Sequence, residues 1–214
     1  MLNRSLLALF CALMLSPSAH ALFINELHYD NAGSDVGEGV ELAGAAGTVL
    51  DGFSLLLYNG GNGQVYRKVA LSGTLADQSA GFGTQFIAMS GIQNGGPDGI
   101  ALIDSNDSVV QFLSYEGAFT ASDGAAAGLV SDDIGLFEDG SGAEGLSLQL
   151  VGTGIAYADF AWDIAAATYA RVNVGQAFEV TPVPLPASVW FLLCAAGSLS
   201  ALARRESRGL PAQG

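Results

Sequence analysis

Gly52-Phe53-Ser54-Leu55-Leu56-Leu57-Tyr58, then Asn59-Gly60-Gly61-Asn62-Gly63, then residues 65–71 form the stretch that decides the fold. The first part is nearly all apolar and short, which predicts a central strand buried on both faces. The middle part is a hairpin connection, because Asn-Gly pairs tolerate the positive φ angles that tight turns need. The last part is the return strand. Working outward, Phe23–His28 alternates imperfectly and leads into Tyr29-Asp30-Asn31-Ala32-Gly33-Ser34-Asp35, a run of turn formers. Residues 39–42, 85–89, 99–103 and 109–115 read as further strands, the last two joined by Asp104-Ser105-Asn106-Asp107-Ser108. Residues 121–145 are dominated by Gly, Ala, Asp and Ser and read as less ordered, and 146–150 reads as a closing strand. No helical period appears before the C-terminal tail. The 29 glycines suit turns between short strands, and a 50% hydrophobic composition is too apolar for disorder. The expectation is an all-β sandwich forming one domain over residues 22–180.

Both ends carry sorting features. Arg4 is followed by an apolar stretch over residues 6–15, and Ala19-His20-Ala21 places small residues at the two positions a signal peptidase reads. Residues 1–21 are therefore expected to be a signal peptide cleaved after Ala21. At the other end, Val183-Pro184-Leu185-Pro186-Ala187 precedes an apolar run over 189–203 and then Arg204, Arg205 and Arg208. Counted from Leu185 the run reaches 19 residues, or ~28 Å of helix, with Pro186 harmless in the first turn. Arginines directly after it hold that end on the cytoplasmic side. A single C-terminal transmembrane helix is expected.

Charge and cysteine usage narrow the function. The chain holds 21 acidic and 7 basic residues; within 22–180 there are 20 acidic residues against Arg67, Lys68 and Arg171. Such a surface repels phosphate backbones, so no nucleic-acid partner is expected. Cys11 and Cys194 both fall outside that domain, which must hold together without disulfides.

Two resemblances follow from these residues. Phe23-Ile24-Asn25-Glu26-Leu27-His28, then Gly39-Val40-Glu41-Leu42, Leu50-Asp51-Gly52-Phe53-Ser54-Leu55 and Asp98-Gly99-Ile100-Ala101-Leu102-Ile103-Asp104 resemble, in order and spacing, the lamin-tail domain family. The resemblance covers roughly residues 22–115, with a weaker extension to 149. It implies an immunoglobulin-like β-sandwich, with Asn25, Glu26 and Glu41 as motif strand residues, of the kind found as accessory modules on secreted or surface proteins. The tail resembles a PEP-CTERM sorting signal of the V-P-L-P-A type over residues 181–208, followed by a tail of residues 209–214. That likeness implies recognition at Pro184, Pro186, Ala187, Arg204 and Arg205 by an exosortase, a membrane cysteine protease, while the protein sits in the inner membrane. Leu185 stands where the namesake glutamate would be, and residues 206–214 run past the basic cluster.

Catalysis finds little to work with. His28 is the only histidine of the domain, there is no thiol, and no Gly-x-Ser-x-Gly turn offers a nucleophile. One imidazole cannot make a histidine-rich zinc site. Carboxylates are plentiful, so composition leaves glycosidase-type chemistry open. Asp30, Asp35 and Glu38 are the candidate metal ligands, since hard oxygens on a glycine-containing loop suit Ca²⁺. The same residues also suit an ordinary solvated turn, and their spacing matches no EF-hand. Glu26 and Glu41, lying in strands, are read as hydrogen-bonding to loop backbone. No cofactor is expected beyond this possible Ca²⁺.

The expected function is that of an exported, non-catalytic surface or matrix protein. It would be sorted and cleaved by an exosortase, pass through the inner membrane to the cell envelope or exterior, and have an extracellular polysaccharide or protein ligand. The alternatives are a binding accessory to a separate secreted hydrolase or nuclease, and a calcium-dependent adhesin.

Overall fold

The computed structural model describes residues 22–179. The signal-peptide positions Ala19 and Ala21, and the sorting positions Pro184, Pro186, Ala187, Arg204 and Arg205, lie outside the described residues, as does the expected transmembrane helix. Among the described residues no helix is long and apolar enough to cross a membrane.

Eleven strands form two sheets. They are β1 (Phe23–His28), β2 (Gly39–Ala45), β3 (Ser54–Asn59), β4 (Gln64–Ala70), β5 (Phe82–Ala88), β6 (Asp98–Ile103), β7 (Val109–Tyr115), β8 (Asp132–Asp133), β9 (Leu146–Gly154), β10 (Phe160–Ala166) and β11 (Gln176–Phe178). The first sheet runs β10-β9-β1-β2-β5, with β11 pairing parallel to β9; the second runs β4-β3-β6-β7-β8. The architecture is an all-β, two-sheet sandwich.

The strand-hairpin-strand reading of residues 52–71 becomes β3 and β4, paired antiparallel with one bulge between Leu57 and Tyr58. Of the hairpin residues, Gly63 alone takes positive φ. A Cβ there would also sit 2.5 Å from the Thr120 carbonyl, so the position needs glycine twice over. β3 is buried on both faces for a visible reason. Leu55 and Leu57 enter the inter-sheet core with Ile24, Leu27, Val40, Leu42, Ile100, Leu102 and Leu148. Leu56 and Tyr58 point the other way, into a second cluster with Ile103, Phe112, Phe119, Ala121 and Ala126. Phe119, with Ala121 and Ala126 from the stretch read as less ordered, therefore forms an apolar cover over the outer face of the second sheet.

Two expectations need correction. Residues 146–150 are not the closing strand: β9 runs on to Gly154, and β10 and β11 follow. β10 escapes a sequence reading because Phe-Ala-Trp-Asp-Ile-Ala-Ala contains three alanines, which carry little β preference. β11 has only three residues and is fixed by pairing with β9 at Gly152, Thr153 and Gly154. Its Phe178 stacks on Phe82 at 4.8 Å.

Candidate functional site

Strand alternation separates two kinds of residue on the first sheet. In β2, Val40 and Leu42 face the inter-sheet core, which leaves Glu41 on the opposite face; in β1 a bulge between Ile24 and Glu26 brings Glu26 into register with Glu41. Asn25, Glu26, Glu41, Ser147 and Gln149 are all fully buried there. The segment 167–176 covers them, and their hydrogen bonds hold it. Glu26 accepts from Ser147 Oγ at 2.6 Å and from the Thr168 amide and hydroxyl at 3.0 Å each. Glu41 accepts from Asn25 Nδ2 at 3.0 Å and from the Ala170 amide at 2.6 Å. Asn173 donates back to the Asn25 and Leu150 carbonyls. Burial, with the Glu26 carboxylate adding to it, pushes the Glu41 carboxyl up to about 8. These glutamates act as a clamp on the C-terminal segment of the domain.

A second polar knot sits at the end of β1. His28, 1% exposed, places Nδ1 2.8 Å from Glu138 Oε1. Its Nε2 lies 3.1 Å from the Val36 carbonyl, which suits the charged ring, and 3.1 Å from Asn31 Nδ2, which suits the neutral one. Burial opposes the charged ring, but the Glu138 bond and charge, the Val36 carbonyl and Glu38 outweigh it and raise the pKa. The other Glu138 oxygen accepts the amides of Tyr29 and Asp30 at 2.7 and 2.9 Å, and the Glu138 amide donates to Tyr29 Oη. Glu138 is thereby used completely.

The proposed metal ligands do not converge. Glu38 turns inward and accepts the Gly91 and Ile92 amides at 2.8 and 2.7 Å, which removes it from any set with Asp30 and Asp35. A buried carboxylate satisfied by two backbone amides is a loop fastener, and Glu38 has that role here. Among the described residues no three of His, Cys, Asp and Glu are placed to hold a metal ion. Burial first, then the neighbouring Asp35 carboxyl, raises the Asp30 pKa. Asp104 accepts the Asn106 and Ser108 amides, and Asp133 the Gly135 amide, so both serve turns. Tyr58, Phe112 and Tyr115 are buried packing.

The open feature is a pocket of about 280 Å³ beside the knot, lined by Asp30, Leu136, Phe137, Glu138, Asp139, Leu146 and Ile164, with glycines between them. One wall is the segment 134–140, which belongs to no strand yet alternates as one: Ile134, Leu136, Glu138 and Gly140 turn inward, while Gly135, Phe137 and Asp139 turn out. Glu138 anchors this segment, so Phe137, 55% exposed, and Asp139 are held pointing into solvent. Asp30 lies against Gly140, where a Cβ would come 3.0 Å from its Oδ2. Glu138 carries no signal in the sequence, because its partners His28, Tyr29 and Asp30 lie over a hundred residues away.

Set against family models, curated proteins and solved structures, the chain matches none of them.

Proposed function

We propose that this is an exported, non-catalytic surface or extracellular-matrix protein whose sandwich is an immunoglobulin-like, lamin-tail-like module. The observation that carries the reading is the order of parts at the C-terminus: Val183-Pro184-Leu185-Pro186-Ala187, an apolar run, then Arg204-Arg205. A proline pair stops secondary structure, the apolar run is long enough to span lipid, and the arginines fix its far end. In this reading an exosortase recognises and cuts the tail near the prolines, and the protein moves from the inner membrane to the envelope or exterior. The organisation of the domain supports cleavage without damage: Phe178 is the last residue of a strand, and the Glu179 amide donates to Gly154 O.

A non-catalytic role is supported by the use made of the polar residues. His28, Glu26, Glu38, Glu41 and Glu138 are spent on internal bonds. The pocket beside Phe137 favours a binding role, which also keeps the accessory to a separate secreted hydrolase as the second reading. A calcium-dependent adhesin loses its support with Glu38.

Mass spectrometry of the protein isolated from its native cells tests the sorting reading. A C-terminus near residues 184–187 is the expected result. An intact Arg204-Arg205 on the mature protein would instead make the tail a permanent anchor and sink the exosortase reading.

A further inference from the structure

We infer that the pocket between Phe137 and Asp30 receives an extended peptide segment of a partner protein, with a lysine or arginine side chain seated inside it. The inference rests on the reading of the domain as a binding module, and adds the site and the class of partner.

Three observations converge. The first is shape and chemistry. Leu136, Phe137, Leu146 and Ile164 line the pocket together with the carboxylates of Asp30 and Asp139, the latter also accepting from Ser141, a lining expected for an aliphatic stem with a cationic head. Phe137 and Ile164 are both large apolar residues left exposed. The Phe137 ring adds a face on which a guanidinium or ammonium can rest.

The second is charge. Glu138 is fully engaged by His28, Tyr29 and Asp30, while the carboxylates of Asp30 and Asp139 both line the pocket. None of the three cations of the domain, Arg67, Lys68 and Arg171, lines the pocket. A cationic side chain of a ligand would supply the positive charge that the lining does not.

The third is the backbone. Residues 134–140 alternate in exposure as a strand does, with bends at Gly135 and Gly140, and among the described residues nothing hydrogen-bonds the main chains of Leu136 and Phe137. Free N–H and C=O groups on an extended segment are the means by which a peptide adds as a neighbouring strand. A second depression of about 470 Å³, lined by Glu116, Gly117, Asp133, Gly135, Leu136 and Phe137, lies on the other side of the same segment. Phe137 thus stands between two hollows, which suits a chain longer than one residue.

A polysaccharide fits less well. Sugar sites are built from flat aromatic platforms and amide or hydroxyl groups, whereas this lining is aliphatic apart from one phenylalanine and the carboxylates.

The test is fluorescence anisotropy on the full chain in mild non-ionic detergent. The probe is a fluorescein-labelled nonapeptide of alternating serine and leucine with a central arginine. Replacing that arginine by glutamate should weaken binding about tenfold or more. D30N, at a half-buried position, and F137S, at an exposed one, should each weaken it about fivefold, while D107N should leave it unchanged. N-methylation of the peptide beside the arginine should weaken it by removing the main-chain bond. Melting temperatures report whether the variants fold, and the peptide substitutions stand even if one does not. Equal binding of the arginine and glutamate peptides would overturn the proposal. So would full affinity in both D30N and F137S, or no binding of the arginine peptide at all. The readout is independent of tail cleavage, so failure here leaves the sorting reading standing, and an uncleaved tail leaves this one standing.

Discussion

The two sheets solve the same problem in opposite ways. Each has an outer face that carries a cover. Over the second sheet the cover is apolar: Phe119, Ala121 and Ala126 pack onto Leu56, Tyr58 and Phe112. Over the first it is polar: Glu26 and Glu41 hold the main chain at Thr168 and Ala170, while Asn173 and Gln176 bond back to Asn25. Apolar packing is non-directional and tolerates replacement by anything of similar volume. A buried carboxylate is directional, and once its partners are gone the group left behind is costly. The first cover should therefore be brittle and pH-sensitive, and the second neither.

The largest effect should come from Glu26→Ala. It strips three hydrogen bonds at once and leaves Ser147 and Thr168 without their acceptor, a loss of about 3–5 kcal/mol measured by urea unfolding. If the loss is under about 1 kcal/mol, the clamp is ornamental and the comparison collapses.

Glu41 brings the pH dependence. Folding raises its pKa from the ordinary 4.5 to about 8, so the folded state holds the proton more tightly than the unfolded one. The stability it confers is complete below 4.5 and is lost as pH rises through about 8. The change across that window should be roughly 2–4 kcal/mol, and Glu41→Gln should flatten it. His28 also has a raised pKa and adds a decline in the same direction above 6.5, which that variant should keep. A melting-temperature profile from pH 4 to 9 on both proteins separates the two parts.

Glu138→Gln should cost about 1–3 kcal/mol locally, because an amide cannot accept from His28, Tyr29 and Asp30 together. Hydrogen exchange should show it as faster opening at the Tyr29 and Asp30 amides, with the inter-sheet core unaffected. Phe119→Leu, in the apolar cover, should cost only about 1 kcal/mol and show no pH dependence. The smallest effect belongs to Val174→Ser, at a side chain 73% exposed on the clamped segment, within about 0.5 kcal/mol. A larger loss there would mean that the segment is held by more than the carboxylates beneath it.

How much of this was legible depends on distance along the chain. β1, β3 and β7 match the readings of their stretches to within two residues, since alternation and turn chemistry act over a few neighbours. β10 and β11 were missed because alanine-rich or three-residue strands exist only where β9 offers an edge. Glu26 and Glu41 stood out as charged residues inside strands, and a bond to loop backbone was the reading made of them. The bonding of Glu38 was not foreseeable, since the Gly91 and Ile92 amides lie more than fifty positions on. Glu138 and Phe137 fell within a stretch read as loosely ordered, and nothing local distinguished them from their neighbours.

By itself, then, the sequence determined the β class, the hairpin at Gly63, the acidic and cysteine-free character of the domain, and the order of parts at its two ends. These follow from composition and from forces acting between residues close in the chain. Only the tertiary structure decided which carboxylates are spent inside and which remain open. Glu26 meets Thr168 across 142 positions and His28 meets Glu138 across 110. Whether a carboxylate fastens a fold or faces a ligand is settled by what the packed chain brings beside it.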